Sequence, residues 1–172
     1  MKSIISKVSL VVLLISSCQV NDADNTAKLI TLQELLNLLP GYEWFLYEYY
    51  KYQPEEVALR IIDSLWNLKK HKFMVFSNPS CNCAGTQAIF PMIVKCLKSG
   101  NIPDSSIIIY SMLNETYQHP FTKKFRIKKL PACFIEIDTT QFYSVVDTFE
   151  LYRYKFPGKY KIEHIISLGL SR

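Results

Sequence analysis

The sequence predicts an α/β fold in which a central mixed sheet is flanked by helices on both faces. Short apolar runs alternate along the chain with segments of helical spacing, which is the pattern of a layered α/β fold. The apolar runs are nearly continuous, as in strands that are covered on both faces. The length of 172 residues fits one domain with a sizeable core.

The N-terminal part of this domain is predicted to begin with a short helix. Thr31 and Glu34 fit a capping box ahead of a leucine repeat, and Pro40-Gly41 ends the pattern. The aromatic run 43–52 (EWFLYEYYKY) is open to two interpretations. Its aromatic density favours a strand, whereas its lack of Gly, Pro and Asn permits a helix. We expect a strand or an irregular packing arm.

The remainder of the chain alternates between helix and strand patterns. A second helix opens at Pro54, and its predicted buried face is Val57, Ile61, Ile62 and Leu65. We expect further helices over 86–97, 120–125 and 160–168. We expect strands over 73–76, 106–112, 132–137 and 142–149, the last as an antiparallel return strand.

The first residues are typical of a targeting segment. Lys2 and Lys7 accompany an apolar stretch from Val8 to Ile15 that is too short for a permanent membrane span, so a signal peptide is expected. The small residues before Cys18 resemble the lipobox of bacterial lipoproteins. This resemblance implies cleavage before Cys18 and lipidation of its sulfur. An ordinary signal peptide with a chance cysteine is the alternative.

The predicted organisation has four parts. They are a lipoprotein signal peptide (1–17), a lipidated cysteine with a flexible tether (18–30), an N-terminal helix with the aromatic arm (31–53) and the main domain (54–172). Without the two lysines of the signal peptide, 18 basic and 15 acidic side chains remain. This balance does not indicate a nucleic-acid partner. Export would place the protein in the bacterial cell envelope, where disulfides persist, and the lipid on Cys18 would hold it on a membrane.

Two cysteines follow the predicted strand 73–76, at the point where the chain turns into a helix. Cys81 and Cys83 are one residue apart, and the helical pattern starts at Thr86. Unpaired N–H groups at the start of a helix carry partial positive charge, which favours a thiolate over a thiol. A lowered cysteine pKa makes sulfur a nucleophile near neutral pH. The pattern therefore indicates a reactive thiol in this turn.

The order of elements, the cysteine turn, Pro91 inside the following helix and Pro131 before a later strand together resemble the thioredoxin fold over residues 54–170. The lead-in Tyr52-Gln53-Pro54-Glu55 is similar to that of a group of bacterial thioredoxin-like proteins. The resemblance implies a cis peptide bond between Leu130 and Pro131 that faces the cysteines. It would expose the backbone of Leu130 to a partner peptide pairing as an added strand.

The cysteine spacing departs from this family, which uses Trp-Cys-x-x-Cys. Counting forward from the strand places Cys81 at the family's first cysteine. Counting back from Pro91 instead places Cys83 there and Thr86 at the second position. We favour the second alignment, because helix positions slip less easily than loop positions. Cys83 is then the nucleophile and Cys81 the resolving thiol, and the substrate-binding residues are Pro131, Leu130 and Thr86.

The resemblance implies a thiol–disulfide oxidoreductase that acts on protein thiols or disulfides in the envelope, with no cofactor and no resident metal. A Cys-x-Cys disulfide closes a small ring, so strain should make it easier to reduce than a Cys-x-x-Cys bridge. One alternative is a non-catalytic binding module on the same scaffold. Another is a Cu(I) site, in which the two thiolates would be joined by a histidine such as His119. Cys96 and Cys133 are expected to be packing residues, with a relay thiol as the alternative for Cys133.

Overall fold

The computed structural model describes residues 25–80 and 84–172. Within them a five-stranded mixed sheet has the order β1-β3-β2-β4-β5. The strands are β1 (Lys28–Ile30), β2 (Phe73–Ser77), β3 (Ile107–Ser111), β4 (Ala132–Glu136) and β5 (Phe142–Ser144). Strands β2 and β3 are parallel, and the other neighbouring pairs are antiparallel. The predicted signal peptide and Cys18 lie outside the described residues.

Six α-helices and one short 3-10 turn accompany these strands in the described part of the chain. The helices are α1 (Leu32–Leu36), α2 (Phe45–Lys51), α3 (Glu56–Leu68), α4 (Ala84–Ser99), α5 (Val145–Lys155) and α6 (Ile162–Leu170), and the 3-10 turn is Asp104–Ser106. The α/β class is therefore confirmed. The capping box is also present, because the Thr31 hydroxyl accepts from the Glu34 N–H (3.1 Å) and the Glu34 carboxylate accepts from the Thr31 N–H (2.6 Å).

The helices lie on one face of the sheet, so the expectation of helices on both faces is wrong. Alternate residues of β2 belong to two separate apolar clusters, with Phe73 and Val75 in one and Met74 and Phe76 in the other. Each of the six helices contributes at least one buried apolar residue to the first cluster. The second cluster is covered by the irregular segment 113–130, whose sequence predicted a helix over 120–125 but which forms turns there.

Three other expectations about the elements need correction. The aromatic run forms helix α2 rather than a strand, because Phe45 and Leu46 pack into the first cluster on one side of a helical repeat. The expected strand 142–149 stops at Ser144, and Val145, Val146 and Phe149 continue as the buried face of α5. The predicted tether 18–30 contains β1, which pairs with β3 over three residues.

The predicted buried face of helix α3 is confirmed in part, because Ile62 is fully buried and Leu65 packs half-buried against the first cluster. Ala58 and Ile62 are buried, whereas Val57 and Ile61 are exposed. The small Ala58 side chain allows close packing, and Gly100 meets the same face. A Cβ atom on Gly100 would lie 2.7 Å from Cγ2 of Ile62, so no larger residue fits there. No helix in the described ranges has the length and apolar character needed to cross a membrane.

Candidate functional site

The turn from β2 to α4 lies at the centre of the sheet. Strand β2 is buried at all five positions and is flanked by β3 and β4. It ends at Ser77, and α4 begins at Ala84. Cys81 and Cys83 lie between these residues and fall outside the described part of the chain. The structure therefore describes the residues on either side of them, up to Ser80 and from Ala84 onward.

The first half of the turn is fixed by two hydrogen bonds of the Asn78 side chain. The Asn78 side-chain amide donates to the carbonyl of Leu113 (2.6 Å), just beyond the end of β3. The Asn78 side-chain oxygen in turn accepts from the N–H of Ser80 (2.9 Å). The residues that lead to Cys81 are thus tied to the end of the neighbouring strand.

Aromatic residues of the N-terminal arm hold the same turn from the helical side. The Tyr42 hydroxyl donates to the carbonyl of Ser77 (3.3 Å), and the Trp44 indole N–H lies 3.3 Å from the carbonyl of Pro79. Gly41 has a φ of +86°, and a Cβ atom there would lie 3.0 Å from Cβ of Pro79. The sequence placed an aromatic arm here, but its contact with the cysteine turn was not predicted.

Leu130 and Pro131 lie at the same end of the sheet as the turn from β2 to α4. Ala132 pairs with Phe76 in the antiparallel register of β4 and β2, so Pro131 follows opposite Ser77. The Leu130–Pro131 peptide bond is cis, as the resemblance implied. Pro131 is buried, and Leu130 is half-buried against the second cluster. The sheet thus brings these two residues beside the end of β2, where the turn begins.

Helix α4 begins directly after Cys83 and contributes two of the residues singled out by sequence. Thr86 is fully buried in its first turn. Pro91 is buried within the helix, where its ring packs without donating a backbone hydrogen bond. The N-terminal end of α4, where the helix dipole is positive, directly follows the two cysteines along the chain.

The remaining cysteines, Cys96 and Cys133, are free thiols in the interior. Burial raises the pKa of Cys133, so it stays protonated at neutral pH. Burial and the nearby Glu163 carboxylate raise the pKa of Cys96 in the same direction. Neither thiol has the thiolate character that disulfide exchange requires. This supports the packing interpretation and speaks against Cys133 as a relay.

Glu163 is a fully buried carboxylate that the sequence analysis did not single out. It accepts from the Tyr52 hydroxyl (2.6 Å) and from the Glu55 N–H (2.9 Å), and the Cys96 thiol lies 3.7 Å away. Burial and then this bond to Glu163 raise the pKa of Tyr52. The Tyr-x-Pro-acidic lead-in is thus fastened to α6. In the sequence, the one sign of this role is that Glu163 lies among the apolar residues of a predicted helix.

The histidines are placed in three different settings. His71 is buried before β2, with Nδ1 2.8 Å from the carbonyl of Glu136, and His164 lies 3.2 Å from Glu55. His119 is buried under Phe76, with ring centroids 4.9 Å apart, and burial lowers its pKa. Its Nδ1 accepts from the N–H of Phe121. Across residues 25–80 and 84–172 no three His, Cys, Asp or Glu side chains form a metal-binding group.

Comparisons with protein families, with curated proteins and with solved structures find no match for this chain.

Proposed function

We propose that the protein is a lipid-anchored, thioredoxin-like thiol–disulfide oxidoreductase of the bacterial cell envelope. Cys83 would be the nucleophile and Cys81 the resolving thiol. The substrate would be a protein thiol or disulfide, and no cofactor is required. The anchor on Cys18 and the envelope location rest on the sequence alone.

The proposal depends on the placement of the two cysteines relative to β2, α4 and the Leu130–Pro131 bond. Two cysteines separate a central, fully buried strand from the start of a long helix, and Leu130–Pro131 lies beside the end of that same strand. The strand order, with β3 and β4 on either side of β2, supports the same interpretation. The helices on a single face and the Cys-x-Cys spacing depart from the expected pattern.

The surroundings of the turn suit thiol exchange. The N–H groups at the start of α4 would stabilise a thiolate on Cys83, because they place partial positive charge at that end. The Leu130 backbone would pair with an extended segment of the substrate. The hydrogen bonds from Tyr42, Trp44 and Asn78 would hold the turn while the sulfurs react.

The proposed reaction balances as a two-electron exchange. The Cys83 thiolate attacks a substrate disulfide, forms a mixed disulfide and releases one substrate thiolate. The Cys81 thiolate then attacks Cys83 and releases the second substrate thiol. The protein is left as the Cys81–Cys83 disulfide, and a dithiol reductant restores it. In the opposite direction the same steps oxidise a substrate dithiol.

The test is reduction of insulin disulfides with dithiothreitol as the reductant. We expect turnover above the reductant's own rate, and we expect Cys81→Ser/Cys83→Ser to remove it. Cys96→Ser is the matched control, because a hydroxyl can still donate to Glu163 while one buried thiol is lost. A folded protein without turnover, or equal turnover in the double variant, would overturn the proposal and leave a binding module as the explanation.

A further inference from the structure

The turn between α5 and α6 combines cations with aromatic side chains. Residues 151–162 contain no Asp or Glu. Cations and aromatic residues alternate through it: Arg153, Tyr154, Lys155, Phe156, Lys159, Tyr160 and Lys161. The segment is therefore basic and apolar at once, which is the composition of a surface that meets a membrane. The proposed thiol chemistry makes no use of it.

This segment faces solvent. Residues 153–159 are exposed without interruption. The side chain of Tyr154 is 85% exposed and that of Phe156 is 44% exposed. Leu151, on the last turns of α5, adds further exposed apolar surface. Adjacent exposed apolar side chains of this kind mark an interaction surface.

The positive charge of the turn is largely uncompensated. Lys161 pairs with Glu55, at 2.9 Å from ammonium to carboxylate. Within residues 25–80 and 84–172, no carboxylate lies within 4.0 Å of the charged groups of Arg153, Lys155 or Lys159. The Lys159 ammonium instead lies near the rings of Phe156 and Tyr160, at 5.7 and 5.5 Å from their centroids. The turn can therefore attract an anionic partner.

The shape of the turn is set by its own contacts. The rings of Tyr152, Phe156 and Tyr160 pack edge-on against one another, with centroids 5.0 to 6.0 Å apart. The Phe156 N–H donates to the carbonyl of Tyr152 (2.8 Å), and the Lys159 N–H donates to that of Phe156 (3.1 Å). Little conformational freedom is then lost when a partner binds.

We propose that residues 151–161, which we name the basic aromatic turn, dock onto an anionic lipid surface. Tyr154 and Phe156 would lie at the level of the headgroups, and Arg153, Lys155 and Lys159 would contact lipid phosphates. The choice of lipid over nucleic acid rests on the proposed envelope location. A lipid chain together with a basic patch holds a protein on a membrane more firmly than either does alone.

The experiment measures co-sedimentation with vesicles of phosphatidylglycerol and phosphatidylcholine in equal parts. It uses the chain from Gln19 onward, without lipid, which keeps every residue of both apolar clusters. We expect binding that weakens as salt is added and that is absent with phosphatidylcholine alone. Lys155→Gln/Lys159→Gln should weaken it about 25-fold, at about fivefold per cation.

Two further variants make the result specific. Tyr154→Ser changes a largely exposed side chain and should weaken binding about tenfold while leaving the fold intact. Arg126→Gln/Lys128→Gln makes the same charge change at two exposed positions of the irregular segment 113–130 and should alter binding by less than about twofold. Insulin reduction should be unchanged in the Tyr154→Ser and Lys155→Gln/Lys159→Gln variants, so this proposal and the proposed function can fail separately.

Three results would overturn the proposal. The first is no salt-dependent binding to the anionic vesicles. The second is an equal loss in the Arg126→Gln/Lys128→Gln control, which would mean that net charge alone is responsible. The third is binding to a single-stranded DNA oligonucleotide that the Lys155→Gln/Lys159→Gln change removes while vesicle binding stays absent, which would reassign the surface to nucleic acid.

Discussion

One face of the sheet carries the six helices of the described ranges, whereas the other is covered by the irregular segment 113–130. On the helical face Phe90 is fully buried among the rings of Tyr42, Trp44 and Phe45. On the other face Phe125 is half-buried, although its ring stacks on Phe134 at a centroid distance of 4.0 Å.

The residues on the two sides of the cysteine turn are therefore held by different kinds of structure, helices on one side and an irregular segment on the other. The arm that holds Ser77 and Pro79 belongs to the helical face, whereas Leu130 belongs to the segment that covers the other face. Segments with less regular hydrogen bonding open locally at a lower free energy than helices packed in a core. The side that is proposed to meet the substrate is therefore the more adaptable one.

The largest expected effect comes from Phe90→Ala, which should lower the free energy of unfolding by about 4 kcal/mol because a fully buried ring is lost. Phe125→Ala should cost about 2 kcal/mol, since its ring is already partly exposed. Urea unfolding measures both values. Hydrogen exchange should rise throughout the sheet in the first variant and mainly within 113–130 in the second. Equal costs with the same exchange pattern would contradict the comparison.

Removal of the buried carboxylate should have the next largest effect. Glu163→Ala leaves the donors of Tyr52, Glu55 and Cys96 without their acceptor, and should lower the free energy of unfolding by about 3 kcal/mol. Glu163→Gln keeps one acceptor oxygen and should cost about half as much. Glu56→Gln, in an exposed ion pair, is the control and should change stability by less than about 0.5 kcal/mol. A cost no larger than this control would show that the network does not hold α6 to the arm.

A smaller effect is expected at the contact between the arm and the cysteine turn. Gly41→Ala places a side chain at a φ of +86° and 3.0 Å from Pro79, and should cost about 1–2 kcal/mol. Insulin reduction should fall at the same time, because the turn would shift. Gly158→Ala has a similar φ of +74° but meets no atom within 4 Å, so it separates backbone strain from the contact. Equal loss of activity in both variants would exclude a role for the Pro79 contact.

The smallest effect is a pH dependence from the irregular face. Burial lowers the pKa of His119, so between its folded value and the ordinary value of 6.5 the unfolded chain binds more protons. The free energy of unfolding should therefore fall as the pH drops below about 6.5. His119→Gln should flatten this part of the profile, measured by urea unfolding at several pH values. An unchanged slope would show that His119 makes no contribution.

The sequence predicted the features that depend on local patterns. The apolar run of β2, the capping box of Thr31 and Glu34, and the place of Leu130–Pro131 are all recognisable within a few residues. It did not predict β1, because three residues are too few for a period to emerge. The stretch 142–149 fits both an alternating and a helical pattern, and packing of α5 on β4 decided between them.

The contacts around the site were not predictable in the same way. Tyr42 and Ser77 are 35 positions apart, and Tyr52 and Glu163 are 111 apart, so no local pattern links them. The identity of the face that each helix buries also depends on its neighbours, as Val57 and Ile61 show. The sequence analysis did not single out the basic aromatic turn, because the exposure of its side chains depends on the fold.

The measurement that tests the central proposal most directly is thiol trapping with mass spectrometry across a series of glutathione potentials. We predict one two-electron transition, in which Cys81 and Cys83 lose and regain reactivity together, while the buried Cys96 and Cys133 stay unlabelled in the native protein. The position of the transition would assign the protein as an oxidant or a reductant. If no disulfide between Cys81 and Cys83 forms at any potential, the proposed function is contradicted.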